Sequence, residues 1–239
     1  MSGEQRLQVL RDEWQGCKRC TLHETRVRDR IVFGDGPVPA DIMIIGSHPT
    51  EDDEDHGTPF TGDEGDLLVE LLKGVNINPE DCYRTQVVAC RPILIIPQTD
   101  DEDERVETVP PTKEHYEGVY NKEEKVWSRS GCNTRLLAQI YEVDPRIIIT
   151  LGDVPLKFLK SRDNGGKLPR KMSEAQGDLF EISIPGVHQT LRYPVIAALN
   201  MVYLIKNPST AAHGPIAVVM EALRRAQTYV AWTKKREEI

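Results

Sequence analysis

Two uninterrupted apolar runs, "ADIMIIG" at residues 40–46 and "RIIITLG" at residues 146–152, restrict the fold more than anything else in this chain. Each has the length of a strand, and neither alternates apolar with polar residues as a strand with one wet face does. A strand of that kind has to be covered on both sides, which places it inside a parallel sheet flanked by helices. The segments between agree. "GDLLVELLKGVNI" has helical spacing with Gly74 near its C-terminal end, "CNTRLLAQIYEVDP" is a helix stopped at Pro145, and "VPLKFLK" follows the second run at once. Residues 4–15 carry Leu7, Leu10 and Trp14 at helical spacing, and residues 214–232 read as a final helix. "CYRTQVVAC" is a further strand, and "YPVIAALN" with "MVYLIKNPS" supplies the last strand material. The expectation is one α/β domain over 1–239, a three-layer α/β/α sandwich around a central, mostly parallel four-stranded sheet. A polar, charged insertion at about 97–130 interrupts it, and "KLPRKMSEAQGDLFEIS" reads as an exposed loop into a strand.

In such sheets the ligand site lies at the carboxyl ends of the strands. The segments to inspect are Gly46 to Thr50, Gln86 to Arg91, Gly152 with Asp153, and Asn207 to Ser209. Between the first of these and Phe60 runs the acidic stretch Asp52, Asp53, Glu54 and Asp55, expected to be a solvated loop. A net charge of -8 argues against a nonspecific nucleic-acid coat, although it says nothing of local patches. No stretch approaches the roughly 20 apolar residues of a membrane span, so no membrane partner and an intracellular setting, cytoplasmic or nucleoid-associated, are expected. Five cysteines are an odd number in such a chain, which disfavours a disulfide framework. Cys17 and Cys20 form a CxxC whose thiolates can share one metal from a tight turn, the other ligands coming from distant segments. Plain reduced thiols are the competing reading.

The ordered stretches "CKRCTLHETRVRDRIVFGDGPVPADIMIIG", "GTPFTGDEGDLLVELL", "CYRTQVVACRP" and "GCNTRLLAQIYEVDPRIIITLG", with "KNPSTAAH" less closely, resemble the iron-sulfur (family 4) members of the uracil-DNA glycosylase superfamily. The resemblance implies excision of a flipped base from single- or double-stranded DNA by hydrolysis of its N-glycosidic bond. It also implies a [4Fe-4S] cluster on Cys17, Cys20, Cys90 and Cys132, with a structural role; four thiolates suit zinc as well. Cys82 is left over. Phe60 stands where the family stacks a Phe on the base, and the backbone at Gly46 would approach it. The polar positions depart from the family: Ser47 replaces its Glu, His48 its Ala, Thr50 its Gly, Gln86 the edge-reading Asn, and Asn207, next to Pro208 and Ser209, its His.

His48 could orient water or donate to the leaving base, or be a loop histidine without a role; His213 is a weaker candidate. Arg26, Arg28 and Arg30, and separately Lys167, Arg170 and Lys171, are candidate phosphate contacts, and the "NPSTAAH" turn is placed where the family enters the minor groove. Two functions compete: a base-excision enzyme with altered or reduced activity, and an inactive DNA-binding or interaction subunit whose 97–130 insertion docks a replication or repair protein.

Overall fold

The computed structural model describes residues 1–239 except 27, 29, 97–104, 119, 124–125, 128–130, 163–171, 186–188 and 239. Lys167, Arg170 and Lys171 therefore lie outside the described residues. In chain order the elements are α1 (Gly3–Trp14), α2 (Leu22–Thr25), β1 (Ile42–Gly46), α3 (Glu51–His56), α4 (Gly62–Gly74), β2 (Cys82–Gln86), β3 (Ile93–Ile96), β4 (Arg105–Thr108) and α5 (Lys113–Glu117). They continue with β5 (Tyr120–Asn121), β6 (Val126–Trp127), α6 (Asn133–Val143), β7 (Ile147–Leu151), α7 (Asp153–Lys160), α8 (Met172–Ala175), β8 (Leu179–Pro185), β9 (Thr190–Ala198), α9 (Met201–Lys206) and α10 (Pro215–Glu237).

The central sheet runs β2-β1-β7-β9-β8, with β2, β1, β7 and β9 parallel and β8 antiparallel to β9. It has five strands, one more than the sequence suggested. The fifth is "LFEISIP", read from the sequence as a strand after an exposed loop but not counted in the sheet, and its alternating exposed and buried residues are those of an edge strand. Pairing antiparallel, it returns to the sheet through a hairpin and needs no crossover helix to announce it.

The two apolar runs are fully buried in β1 and β7. Because successive side chains point to opposite faces, each run feeds two cores. Met43, Ile45 and Ile148 join the core under α1, α6 and α7, with Leu7, Trp14, Leu136, Ile140 and Phe158. Ile42, Ile44, Ile147 and Ile149 join the core under α4, α9 and α10, with Leu68, Leu72, Leu204, Val219 and Leu223. This is the α/β/α sandwich. The segment "MVYLIK", taken as strand material, is instead the helix α9: Asn200 caps its start by accepting a hydrogen bond from the Tyr203 N–H at 2.7 Å. Among the described residues no helix is long and apolar enough to cross a membrane.

The insertion is only partly a solvated appendage. The β3–β4 ribbon exposes Leu94, Ile95 and Val106. Further on, α5 is built into the body: the His115 carbonyl accepts from the Cys132 N–H at 3.2 Å, and buried Glu117 accepts from Asn133 Nδ2 at 3.2 Å.

One buried side chain ties the sheet to α6. Arg135 has no exposure, and its Nη2 donates to the Gln86 and Val87 carbonyls at 2.6 and 3.0 Å, just where the chain leaves β2. Its Nη1 donates to the Phe33 carbonyl and Thr85 Oγ1, both at 3.2 Å, and to Gln139 Oε1. Gln139 in turn donates to the Phe33 carbonyl at 2.7 Å and the Tyr83 hydroxyl at 3.1 Å. Replacing Arg135 with Met keeps the bulk but strands several buried acceptors. Arg135→Met is expected to lower the unfolding free energy by about 3–5 kcal/mol, read from the urea midpoint. A midpoint within error of the parent's would show that the network carries no net stability.

Candidate functional site

The parallel strands β1 and β2 end side by side, Gly46 opposite Gln86, and their pairing continues one step into the turn: Val87 N–H donates to the Gly46 carbonyl at 2.9 Å and Val88 N–H to the Ser47 carbonyl at 3.1 Å. After Pro49 the chain does not enter the solvated loop expected for the acidic run. It forms α3, started by a reciprocal capping box in which Thr50 Oγ1 accepts from the Asp53 N–H at 3.2 Å and Asp53 Oδ2 accepts from the Thr50 N–H at 3.1 Å. Acidic side chains in a first turn also face the positive end of the helix dipole. Asp52 and Asp55 stay exposed, but Asp53 and Glu54 are 1% and 4% exposed. Glu54 and Glu51 pair with buried Arg91 at 3.8 and 3.2 Å. Asp53 reaches the other way, accepting at Oδ1 from the Thr61 N–H and hydroxyl at 2.7 and 2.8 Å, and at Oδ2 from Gln86 Nε2 at 2.8 Å.

Phe60 closes this loop with a φ of 59°, a conformation costly for an aromatic residue. Its carbonyl packs so closely on α4 that a Cβ at Gly65 would lie 1.8 Å from the carbonyl oxygen. The ring lies over Gly46, where a Cβ would meet Phe60 Cζ at 2.8 Å and Gln86 Cγ at 3.3 Å. Glycines 46 and 65 are thus the spaces that the aromatic ring and its backbone occupy.

A cavity of about 60 Å³ opens beside this ring, lined by Gly46, Ser47, His48, Phe60, Glu64, Gln86, Leu151, Asn200, Met201 and Val202. Five of the residues singled out from sequence (Gly46, Ser47, His48, Phe60 and Gln86) meet here. Asn207 and Ser209 do not. Asn207 is the exposed C-cap of α9, its Nδ2 donating to the Tyr203 carbonyl at 2.9 Å, and Ser209 is exposed beyond it. The residue after β9 that lines the cavity is Asn200, one helix earlier. Its Oδ1 is held by the α9 cap, and its Nδ2 lies beside Gly152, 3.3 Å from where a Cβ there would stand. His213 is exposed on the turn before α10. Asp53, Glu64 and Asn200 escaped the sequence reading. Thr-x-x-Asp is a capping-box signal for the first, and Asn ahead of a helical run is an N-cap signal for the last; nothing marks Glu64.

The electrostatics favour neutral groups in the cavity. Burial holds His48 below the ordinary imidazole range, opposed in part by its bond to the Pro49 carbonyl and by the Asp53 charge. Its Nδ1 lies 3.1 Å from that carbonyl, which can only accept, so the proton sits on Nδ1 and the neutral ring offers a lone pair at Nε2. Burial, then the Asp53 charge, pushes the Glu64 carboxyl up to about 7. A much wider cleft of about 700 Å³ lies at the opposite ends of the strands, and its walls include the ion pairs Arg146–Asp41 and Arg146–Glu237.

The four cysteines expected to act together collect in one corner. Cys90 and Cys132 are buried in the α1–α6 core, and Cys17 and Cys20 pack against it. Burial raises all three thiols Cys17, Cys20 and Cys90, the last two to about 11 and 12, and the neighbouring Cys132 adds to each rise. Arg26 opposes it, with Nη1 at 3.9 Å from Cys90 Sγ. Soft sulfur donors beside a guanidinium suit an anionic thiolate centre, although among the described residues no three Cys, His, Asp or Glu side chains stand ready to hold a metal ion. Cys82 lies apart in the other core, its Sγ 3.7 Å from the Asn78 carbonyl. Of the nearby arginines, Arg28 pairs with Asp55 at 2.8 Å, and Arg30 donates to the Glu54 carbonyl at 3.1 Å and to the Asp55 carbonyl. They tie the cysteine-proximal segment to α3.

Residues 33–224 match the family model described as the uracil DNA glycosylase superfamily. The chain is 27% identical over 227 residues to a type-4 uracil-DNA glycosylase of Thermotoga maritima, which covers 95% of this chain and 96% of that protein. It is 29% identical over 185 residues to one of Pyrobaculum aerophilum, covering 77% and 79% of the two chains. With the sandwich fold and the cavity at the strand ends, these matches establish that the chain belongs to the uracil-DNA glycosylase superfamily.

Proposed function

We propose that the chain takes one flipped pyrimidine from DNA into the cavity at the ends of β1, β2 and β9 and hydrolyses its N-glycosidic bond. The observation that supports this most is the gathering of Phe60, Gln86, Ser47 and His48 around one cavity with Glu64 and Asn200. A base out of its stack needs an apolar face to lie on and a polar group at its edge. Phe60 provides the face and Gln86 the edge, both in contact with the space above Gly46. Water attacks the sugar carbon as the carbon–nitrogen bond breaks, and the base leaves carrying the bonding electrons. Ser47 has no carboxylate to direct that water, so Glu64 takes the role, with His48 Nε2 as a second acceptor. The N–H groups of Asn200 donate to the oxygen on which negative charge develops. Cys17, Cys20, Cys90 and Cys132 hold an iron-sulfur cluster, with zinc as the alternative; when bound it pins α6, the β2 exit and the N-terminal segment together.

A second reading has one observation in its favour. At about 60 Å³ the cavity has room for a few waters, so a pyrimidine enters only if the Ser47–Pro49 turn or α9 gives way. If it does not, the chain is a DNA-binding or interaction subunit, docking a replication or repair protein through residues 97–130.

Release of uracil or hydroxymethyluracil from oligonucleotides, detected as alkali-labile abasic sites, separates the readings: no release of any pyrimidine alongside retained DNA binding leaves only the second. Phe60→Ala is expected to reduce release at least ~10-fold, and Glu64→Gln by about 10²–10⁴-fold. Since Glu64 must be ionised to direct water, release by the parent should rise with pH through about 7.

The same shift predicts stability. A carboxyl whose folded value lies above its ordinary 4.5 contributes stability that is fully present below 4.5 and lost as pH rises to about 7. The urea midpoint of Glu64→Gln should exceed the parent's at pH 8, and the two should converge towards pH 4.5; a gap independent of pH contradicts the assignment. Protein purified without oxygen should contain iron and inorganic sulfide in equal amounts and lose both in Cys132→Ala, whereas zinc alone would decide for the alternative.

A further inference from the structure

We infer that Asp53 is a positioning residue: it turns the amide of Gln86 so that the cavity meets its ligand with a hydrogen-bond acceptor and selects a base carrying a ring N–H. This rests on the cavity being a base site, as proposed above.

Gln86 is 3% exposed and its Nε2 donates to Asp53 Oδ2 at 2.8 Å. The oxygen and nitrogen of an amide have nearly the same shape, so a glutamine is oriented only by what its neighbours can accept or give. Here the neighbour leaves no choice. Asp53 already receives the Thr50 N–H, the Thr61 N–H and the Thr61 hydroxyl, so its two oxygens act as acceptors throughout. Only the nitrogen of Gln86 can face it. The other end of the amide, Oε1, is sealed from solvent and has no hydrogen-bond partner among the described residues, while the side chain lines the cavity beside Phe60.

A buried acceptor without a donor is a standing cost that a ligand N–H removes and a ligand lone pair or methyl group does not. A base with an imide N–H at its edge, as in uracil, satisfies Oε1. Cytosine presents a ring lone pair at the same position, and N3-methyluracil a methyl group. The selection therefore originates in a residue that does not touch the ligand.

Asp53→Asn tests this because it reverses the constraint without changing the shape. With the oxygen kept opposite the two Thr61 donors, the new amide nitrogen faces Gln86 and turns its Nε2 towards the cavity, while the Thr50 N–H loses its acceptor. Binding is measured by fluorescence anisotropy at fixed salt, using single-stranded oligonucleotides with one central uracil, N3-methyluracil or cytosine. The parent should favour uracil over both others by about 10-fold or more, the discrimination expected of a buried hydrogen bond. Asp53→Asn should lose that preference or shift it to cytosine, with affinity for the N3-methyluracil oligonucleotide unchanged. A parent that favours uracil and an Asp53→Asn variant that keeps the same preference overturns the inference alone. A parent without preference among the three overturns the base-site reading along with it.

A second measurement stands even if Asp53→Asn fails to fold. The side-chain amide signal of Gln86 in the parent, identified by its loss in Gln86→Met, should exchange with deuterated water far more slowly than those of exposed glutamines. Exchange at the exposed rate means that Asp53 does not hold the amide, and the inference falls.

Discussion

The guanidinium of Arg135, buried without exposure between α6 and the end of β2, is the interaction on which the rest of the molecule's upper half depends. At a strand's carboxyl end the chain must leave the sheet, and its carbonyls lose their ladder partners. Water would satisfy them at a surface. Here the exit is under a helix, and Nη2 of one arginine satisfies both carbonyls instead. Because the Gln86 and Val87 carbonyls are held from the α6 side, the Gln86 side chain is free to lie on the opposite face, towards Asp53 and Phe60. Cys132 is the N-cap of the same helix, one turn before Arg135. Residues 86–91 thereby connect four regions in a few steps: the cavity at Gln86, the arginine network at Val87, the sulfur corner at Cys90 and the α3 carboxylates at Arg91.

What the sequence disclosed, and what it did not, follows from the range of the forces involved. The runs at 42–46 and 147–151 are so uniformly apolar that only a strand covered on both faces accommodates them, and the sandwich follows. The fifth strand was harder to count because "LFEISIP" alternates, and an alternating segment of that length after a polar loop does not say which neighbour it pairs with. Glycine–Phe60 geometry was legible as a motif, while its reason, backbone contact with α4 at Gly65, is tertiary.

The acidic run shows the opposite case. Composition says that four carboxylates in a row belong in water, and two of them are exposed. The local signal, Thr50 three residues before Asp53, says that a helix starts there, and the capping box prevailed. Once the helix forms, its period places Asp53 and Glu54 inward, where Gln86 and Arg91 wait from a strand more than thirty residues away in sequence. No local pattern encodes such partners. Asn207 illustrates the remaining difficulty. The motif around it resembles a known one, but a strand boundary moved by one short helix puts Asn200, not Asn207, against the cavity.

The six residues of α3 are held at both ends and along both sides: by Arg28 and Arg30 from the cysteine-proximal segment, by Arg91 from the β2 exit, and by Gln86 and Thr61 from the cavity wall. A strut clamped in this way cannot relax at one end while staying put at the other. Loosening the segment that carries Arg28 and Arg30 therefore slackens, through α3, the grip of Asp53 on the glutamine amide.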